Sequence, residues 1–296
     1  MNKSIKGVIF LYFIQEADKP KLISKIFLIP TLDQNKIILP INYEETKNNK
    51  KIDNKKKEIK REIILVKRTI NILNKTHCKK VILSKQMQNR ELFCNQLHTQ
   101  GFKVIDGRWL FTILSEEVIQ YAIKTNKMIE EKTKISILVN DLTDIVLENI
   151  KNIAKKYKRI NIVTNHIEKL KRLEEELLEE YGVMITLNNN KKKSLTKADI
   201  ILNFDFPSEL INKYRIAEKA IVINLKGNIK IKQKRFEGKI FNDYEITHKE
   251  TEDFEYNKNE KYLTKDIYEA LIYKHQPIEN IMKKIKKDKV KISELK

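Results

Sequence analysis

Through the middle of the chain, apolar residues fall into short runs separated by stretches with helical spacing. Ile135 to Val139 is such a run, broken only by Ser136. It is followed by Ile145, Leu147, Ile150, Ile153, Ala154 and Tyr157, which recur as one face of a helix does. Asp141, Thr143 and Asp144 stand where that helix begins and are candidate N-caps. The unit then repeats. Ile160 to Thr164 predicts a second strand, and His166 to Tyr181, with Ile167, Leu170, Leu173 and Leu177 on one face, predicts a helix stopped by Gly182. Val183 to Leu187, Ile200 to Leu202 and Ala220 to Leu225 supply three more apolar runs. Strands this continuously apolar are expected where helices cover both faces of a sheet, so the pattern predicts an α/β fold with a doubly wound parallel sheet over residues 133–247.

Residues 1–128 predict a smaller α/β domain that opens with a β meander: Val8 to Ile14, Leu22 to Ile29 and Lys36 to Ile41, separated by Asp18-Lys19-Pro20 and Asp33-Gln34-Asn35 turns. A helix carrying Ile59, Ile63, Val66, Ile70 and Leu73 follows, then a strand at Val81 to Leu83, a helix from Asn89 to Gln100, a strand at Phe102 to Ile105 and one helix from Arg108 to Lys124. The polar connection 126–134 is the expected domain boundary. Beyond the sheet, Asn228 to Phe236 reads as a basic strand or hairpin and Phe241 to Ile246 as an added strand. Residues 248–296 read as a C-terminal helical segment with a frayed, lysine-rich end.

Three short motifs sit at fixed places in the repeating pattern. Val163-Thr164-Asn165-His166 ends the second strand, Lys197-Ala198-Asp199-Ile200-Ile201 announces the fourth, and Val222-Ile223-Asn224-Leu225 closes the fifth. Their order resembles the nucleotide-binding domain shared by shikimate dehydrogenases and glutamyl-tRNA reductases, where the same places carry an Asn-Arg-Thr-like motif, Ala-Asp-Ile and Asp-Leu. The resemblance covers the C-terminal half only and implies a Rossmann-like, NAD(P)-binding domain. Cys94-Asn95 is similar to the pair around the nucleophilic cysteine of the reductases, although the flanking residues differ. The motifs that hold the paired Lys and Asp of shikimate dehydrogenases have no counterpart here.

The glycine fingerprint of such a domain is replaced. Aligned on the first strand, Asn140, Leu142 and Ile145 take the three glycine positions of G-x-G-x-x-G, the second of which lets the backbone approach the pyrophosphate. Leu142 obstructs that approach, and Asp141 with Asp144 adds negative charge at the end of the helix that attracts anions. His166 stands where an arginine grips a 2′-phosphate, and no Asp or Glu ends the second strand to take a ribose hydroxyl. No cofactor is therefore expected, with an NAD(P)-dependent oxidoreductase as the alternative. If any small-molecule site is retained, it is expected outside the carboxyl ends of the first and fourth strands, lined by Asn140, Asp141, Asn165, Asn203 and Asp205. These side chains suit a neutral or cationic ligand better than a phosphate, and the same residue types serve as helix caps and turn formers.

No catalytic residue and no metal ligand is assigned. Cys94 lies on a helix beside Phe93 and Leu97, as a small buried hydrophobe does, and Cys78 beside His77 offers too few ligands for zinc. Sixty Lys and Arg against forty Asp and Glu give a formal charge of +20, which makes nucleic acid an alternative partner. The basic residues are dispersed, arginine is sparse, and abundant Lys, Asn and Ile together fit adenine- and thymine-rich codons, so a solvated surface is favoured. Two cysteines suit a reduced, cytoplasmic protein. Gly7 to Ile14 is too short for a signal peptide, and no window reaches a membrane span. The expected role is scaffolding, interaction or regulation through a protein partner.

Overall fold

A computed structural model describes residues 11–41, 52–76, 78–248, 261–273 and 277–296. The chain forms two compact units, Met1–Gly107 with Asp253–Tyr273 and Arg108–Glu252 with Lys274–Lys296. Both are mixed α/β, with parallel sheets flanked by helices.

The first unit contains β1 (Tyr12–Glu16), α1 (Leu22–Phe27), β2 (Thr31–Asp33), β3 (Lys36–Leu39), α2 (Ile52–Lys75), β4 (Lys80–Leu83), α3 (Lys85–Gln88), α4 (Glu91–Thr99) and β5 (Lys103–Ile105), joined by α11 (Thr264–Ile272) from late in the chain. Its sheet runs β2-β3-β1-β4-β5 and is parallel except for the β2–β3 hairpin. Alternation along β1 and β4 sends Ile14, Val81 and Leu83 to one face, where Val66 and Leu73 of α2 and Phe93 and Leu97 of α4 cover them. Phe13 and Ile82 go to the other face with Ile105, Tyr262 and Ile267. Each fully buried Leu, Ile or Phe contributes about 1.5–3 kcal/mol by its removal from water.

The expected meander is corrected here. Leu22 to Ile29 is not a strand: Leu22–Phe27 is helical and ends at Leu28, whose φ is 52°. The hairpin forms instead between Thr31–Asp33 and Lys36–Leu39, across the turn at Gln34 and Asn35, and β3 then lies parallel to β1. The reason lies in the spacing, since Leu22, Ile23, Ile26 and Phe27 recur at helical intervals and never alternate with polar residues. α1 buries none of its residues. Leu22, Ile23, Ile26 and Phe27 are each 60% or more exposed, and Ile29 and Leu32 extend the same apolar stretch.

The second unit begins with α5 (Arg108–Ile113) and α6 (Ser115–Thr125), two helices where the sequence predicts one. Both pack on α7 (Asp144–Lys156), so their contacts place them in this unit, whereas composition puts a boundary at 126–134. Then come β6 (Ile135–Leu138), β7 (Ile160–Val163), α8 (Ile167–Tyr181), β8 (Thr186–Asn188), α9 (Lys191–Thr196), β9 (Ile200–Asn203), α10 (Ser208–Asn212), β10 (Ile221–Asn224) and β11 (Lys239–Phe241). All six strands are parallel, in the order β8-β7-β6-β9-β10-β11. Counted within the unit this is 3-2-1-4-5-6, the Rossmann order, with its switch point between β6 and β9. Gly182 caps α8 at φ 63°, and Thr143 caps α7 by accepting from Val146 N–H at 3.4 Å.

Three expectations for the C-terminal part are corrected. No strand forms over Asn228 to Phe236, and the last residues are not frayed: β13 (Lys291–Leu295) pairs antiparallel with β12 (Tyr244–Thr247). Nor is 248–296 one helical segment, since α11 belongs to the first unit and α12 (Ile278–Lys287) to the second.

Glu117 of α6 has a carboxylate oxygen, Oε2, that is buried and without a hydrogen-bond partner among the described residues. Burial holds its carboxyl above the ordinary value of 4.5, and the neighbouring Glu116 pushes the same way. A raised folded pKa means that stability falls as pH rises above 4.5 and that the loss is complete once the folded group ionises. Glu117→Gln is therefore expected to melt higher than wild type at neutral pH. The gain should close as pH falls toward 4.5, as measured by thermal denaturation across a pH series.

Candidate functional site

Five strand ends at the carboxyl edge of the second sheet finish in asparagine: Val139-Asn140, Leu187-Asn188, Leu202-Asn203, Ile223-Asn224 and Phe241-Asn242. In a parallel sheet this edge leaves main-chain groups to be satisfied by side chains or ligands. Here the carboxamides do it. Asn203 and Asn224 are fully buried. Asn203 Nδ2 donates to the Phe206 carbonyl at 2.9 Å and to Asn224 Oδ1 at 2.8 Å, while its Oδ1 accepts from Phe206 N–H at 2.9 Å. Asn224 Nδ2 in turn donates to the carbonyls of Lys226 and Gly227 at 3.0 and 2.9 Å. Asn242 accepts from Ile229 N–H at 2.7 Å and donates to the Ile229 carbonyl at 3.1 Å, which buries Ile229 without a strand.

The switch-point crevice is organised around Asp205, on the connection between β9 and α10. Its carboxylate accepts from Asn140 N–H at 3.0 and 2.9 Å and from Asp141 N–H at 2.5 Å. These main-chain donors belong to the turn between β6 and α7, the position at which this fold presents N–H groups to a pyrophosphate. An internal anion thus takes the donors that a bound phosphate would use. Asn140 extends the tie to the next connection: its Oδ1 accepts from Asn165 N–H at 2.9 Å and from Thr164 Oγ1 at 3.5 Å. Lys191 Nζ donates to Asn165 Oδ1 at 2.8 Å and lies 5.7 Å from the Phe206 ring centroid, so a cation spans the crevice from α9.

Of the five residues expected at a retained site, the structure joins Asn140, Asp141, Asn165 and Asp205 by direct hydrogen bonds. Asn203 turns instead to Asn224 and the Phe206 backbone. The bonds run among the protein's own groups and include both Asp205 carboxylate oxygens, so the arrangement fixes three connections to one another. Thr164, Lys191, Asn224 and Asn242 were missed. The recurring apolar-apolar-Asn at strand ends was the signal for the last two, whereas nothing local marks Lys191.

No protein-family model matches the chain, and no curated protein matches it by sequence. Solved structures give distant likenesses. Shikimate 5-dehydrogenase of Listeria monocytogenes is 10% identical, with 96% of this chain and 99% of that one covered and a TM-score of 0.34. L-tryptophan dehydrogenase of Nostoc punctiforme is 13% identical over 72% of this chain and 61% of that one, with a TM-score of 0.30. Ornithine transcarbamoylase of Giardia lamblia is 10% identical over 72% of each chain, also with a TM-score of 0.30. Likenesses this remote carry no activity across.

Cys94, singled out by the resemblance, lies on α4 in the first unit, with its thiol 3.9 and 3.8 Å from the carbonyls of Met87 and Gln88. Burial, with Glu62 second, pushes the thiol up to about 11. It is protonated at neutral pH and lacks the thiolate a nucleophile needs. Cys78 is buried and its thiol is likewise raised by burial. Among the described residues no three His, Cys, Asp or Glu side chains come together as metal ligands, and no helix is long and apolar enough to cross a membrane.

Proposed function

We propose that this chain is a non-catalytic interaction protein built on a Rossmann-like scaffold whose dinucleotide crevice has become an internal cross-link. The observation that carries this reading is the Asp205 carboxylate seated on the N–H groups of Asn140 and Asp141. A dinucleotide would have to displace that carboxylate, clear the Leu142 side chain and overcome the charges of Asp141 and Asp205. A thermal-shift panel of oxidised and reduced NAD and NADP tests it, because a ligand that binds the native state raises its melting temperature. No shift is expected, and a concentration-dependent rise with any one of the four would restore the oxidoreductase alternative.

The apolar face of α1 favours interaction over a purely internal structural role. Leu22, Ile23, Ile26, Phe27, Ile29 and Leu32 are 45–72% exposed. Six side chains of this size present on the order of 600 Å² of apolar surface, at the top of the range for a monomer and near the ~800 Å² per partner of a stable interface. β2 lies at the end of its sheet, with β3 its sole partner among the described strands. Two such edges can pair antiparallel about a two-fold axis, so the partner assigned to this apolar stretch is a second copy of the chain. Sedimentation equilibrium is expected to give a dimer for wild type and a monomer with an unchanged circular dichroism spectrum for Leu22→Glu with Ile26→Glu. A wild-type protein that stays monomeric at high concentration would remove this assignment.

A further inference from the structure

A cavity of about 670 Å³ lies away from the crevice, between α9 and the strands β6, β7 and β8. It exists because the connection that should cover this face is short: α9 has 6 residues, against 13 in α7 and 15 in α8. Along a parallel sheet covered on both sides, apolar residues are expected in this position. Instead, the register aligns Ser136 with Asn161 and Asn161 with Thr186, a polar row across three adjacent strands.

The floor of the cavity is pre-organised. Ser136 Oγ donates to the Ser194 carbonyl at 3.1 Å and accepts from Asn161 Nδ2 at 3.3 Å. Asn188 Nδ2 donates to Asn161 Oδ1, and Asn188 Oδ1 accepts from Ser194 Oγ at 3.0 Å. A carboxamide carries two N–H hydrogens, so Asn161 and Asn188 each hold their place with one and keep another for a ligand. The rim carries Lys134, Lys158, Arg159, Lys193 and Lys197, and no carboxylate lines the cavity. The rim charges come from three places in the fold: the start of β6, the start of β7, and α9 with the residue after it. The Asp199 carboxylate accepts from the Lys134 main-chain N–H at 2.8 Å, so one acid lies beside the start of β6.

From this geometry we infer that the cavity is a binding site for a small organic phosphate. Its volume falls within the range of small-molecule sites. Five basic residues lining one concave surface give a field that a compact polyanion satisfies, whereas a nucleic acid backbone would need them along an extended face. The site lies on the face beneath α9 and uses none of the donors held by Asp205, so it is independent of the closed crevice.

Isothermal titration with pyrophosphate and with ADP, at physiological salt, tests the inference on the full chain. Wild type is expected to bind at one saturable site. Lys158→Glu with Arg159→Glu changes two exposed rim side chains and should weaken that binding by at least about tenfold, since it turns two attractions into repulsions. Lys283→Glu with Lys287→Glu makes the same change in net charge on the exposed face of α12 and should leave binding unchanged. Absence of saturable binding to either probe would overturn the proposal. So would equal weakening by the two charge-reversed variants, or a short RNA duplex bound more tightly than ADP and weakened alike by both, each of which would mark a general polyanion effect.

Discussion

Asn203→Ala is expected to destabilise the second unit by about 3–5 kcal/mol, a large share of the 5–15 kcal/mol that holds a typical protein folded. The estimate follows from what the truncation strands. Phe206 N–H and its carbonyl lose their partners, as does Asn224 Oδ1, all in a region closed to water. A buried polar group left unpaired costs roughly 1–3 kcal/mol, and the missing side chain leaves a void besides. Urea denaturation followed by far-UV circular dichroism measures the difference. A loss below about 1 kcal/mol would show that water replaces the carboxamide and that the asparagine row is not a structural seal.

Asp205→Ala should act on the crevice in two ways. The N–H groups of Asn140 and Asp141 lose a charged acceptor, which at a half-buried position is expected to cost about 1–3 kcal/mol. The same substitution frees those donors, so amide hydrogen exchange at residues 140 and 141 should quicken while exchange in β6 stays slow. Asp205→Asn keeps an oxygen acceptor but loses the charge, and is expected to fall between the two. Unchanged exchange at both amides in Asp205→Ala would mean that other groups protect the turn.

The doubly wound sheet was legible because its signals are local. Each apolar run of three to six residues is bounded by polar ones, and the helices after β6 and β7 carry strong one-sided patterns with caps at Thr143 and Gly182. β13 was misread for an equally local reason. Its buried residues, Ile292 and Leu295, are three apart, a helical interval, because the ladder slips between Glu245 and Ile246 and leaves Ser293 outside the register. α1 was misread through composition: a stretch rich in Ile, Leu and Phe favours a strand, and only its spacing argues for a helix. The site was half legible. Asparagines at strand ends named most of the residues, but the bond from Asp205 to the turn joins positions 64 and 65 apart in the chain, and no pattern in either segment announces it.

That bond is the centre of the account, and calorimetric titration of NAD and NADP tests it most directly. The comparison is between wild type and a variant combining Asp205→Ala, Leu142→Gly and Asp141→Ala, which removes the internal anion, the bulk and the remaining repulsion together. Wild type is predicted to give no saturable heat with either cofactor, and the variant is predicted to gain measurable binding. Saturable binding of either cofactor to wild type in the micromolar range would contradict the claim that Asp205 has taken the place of the phosphate.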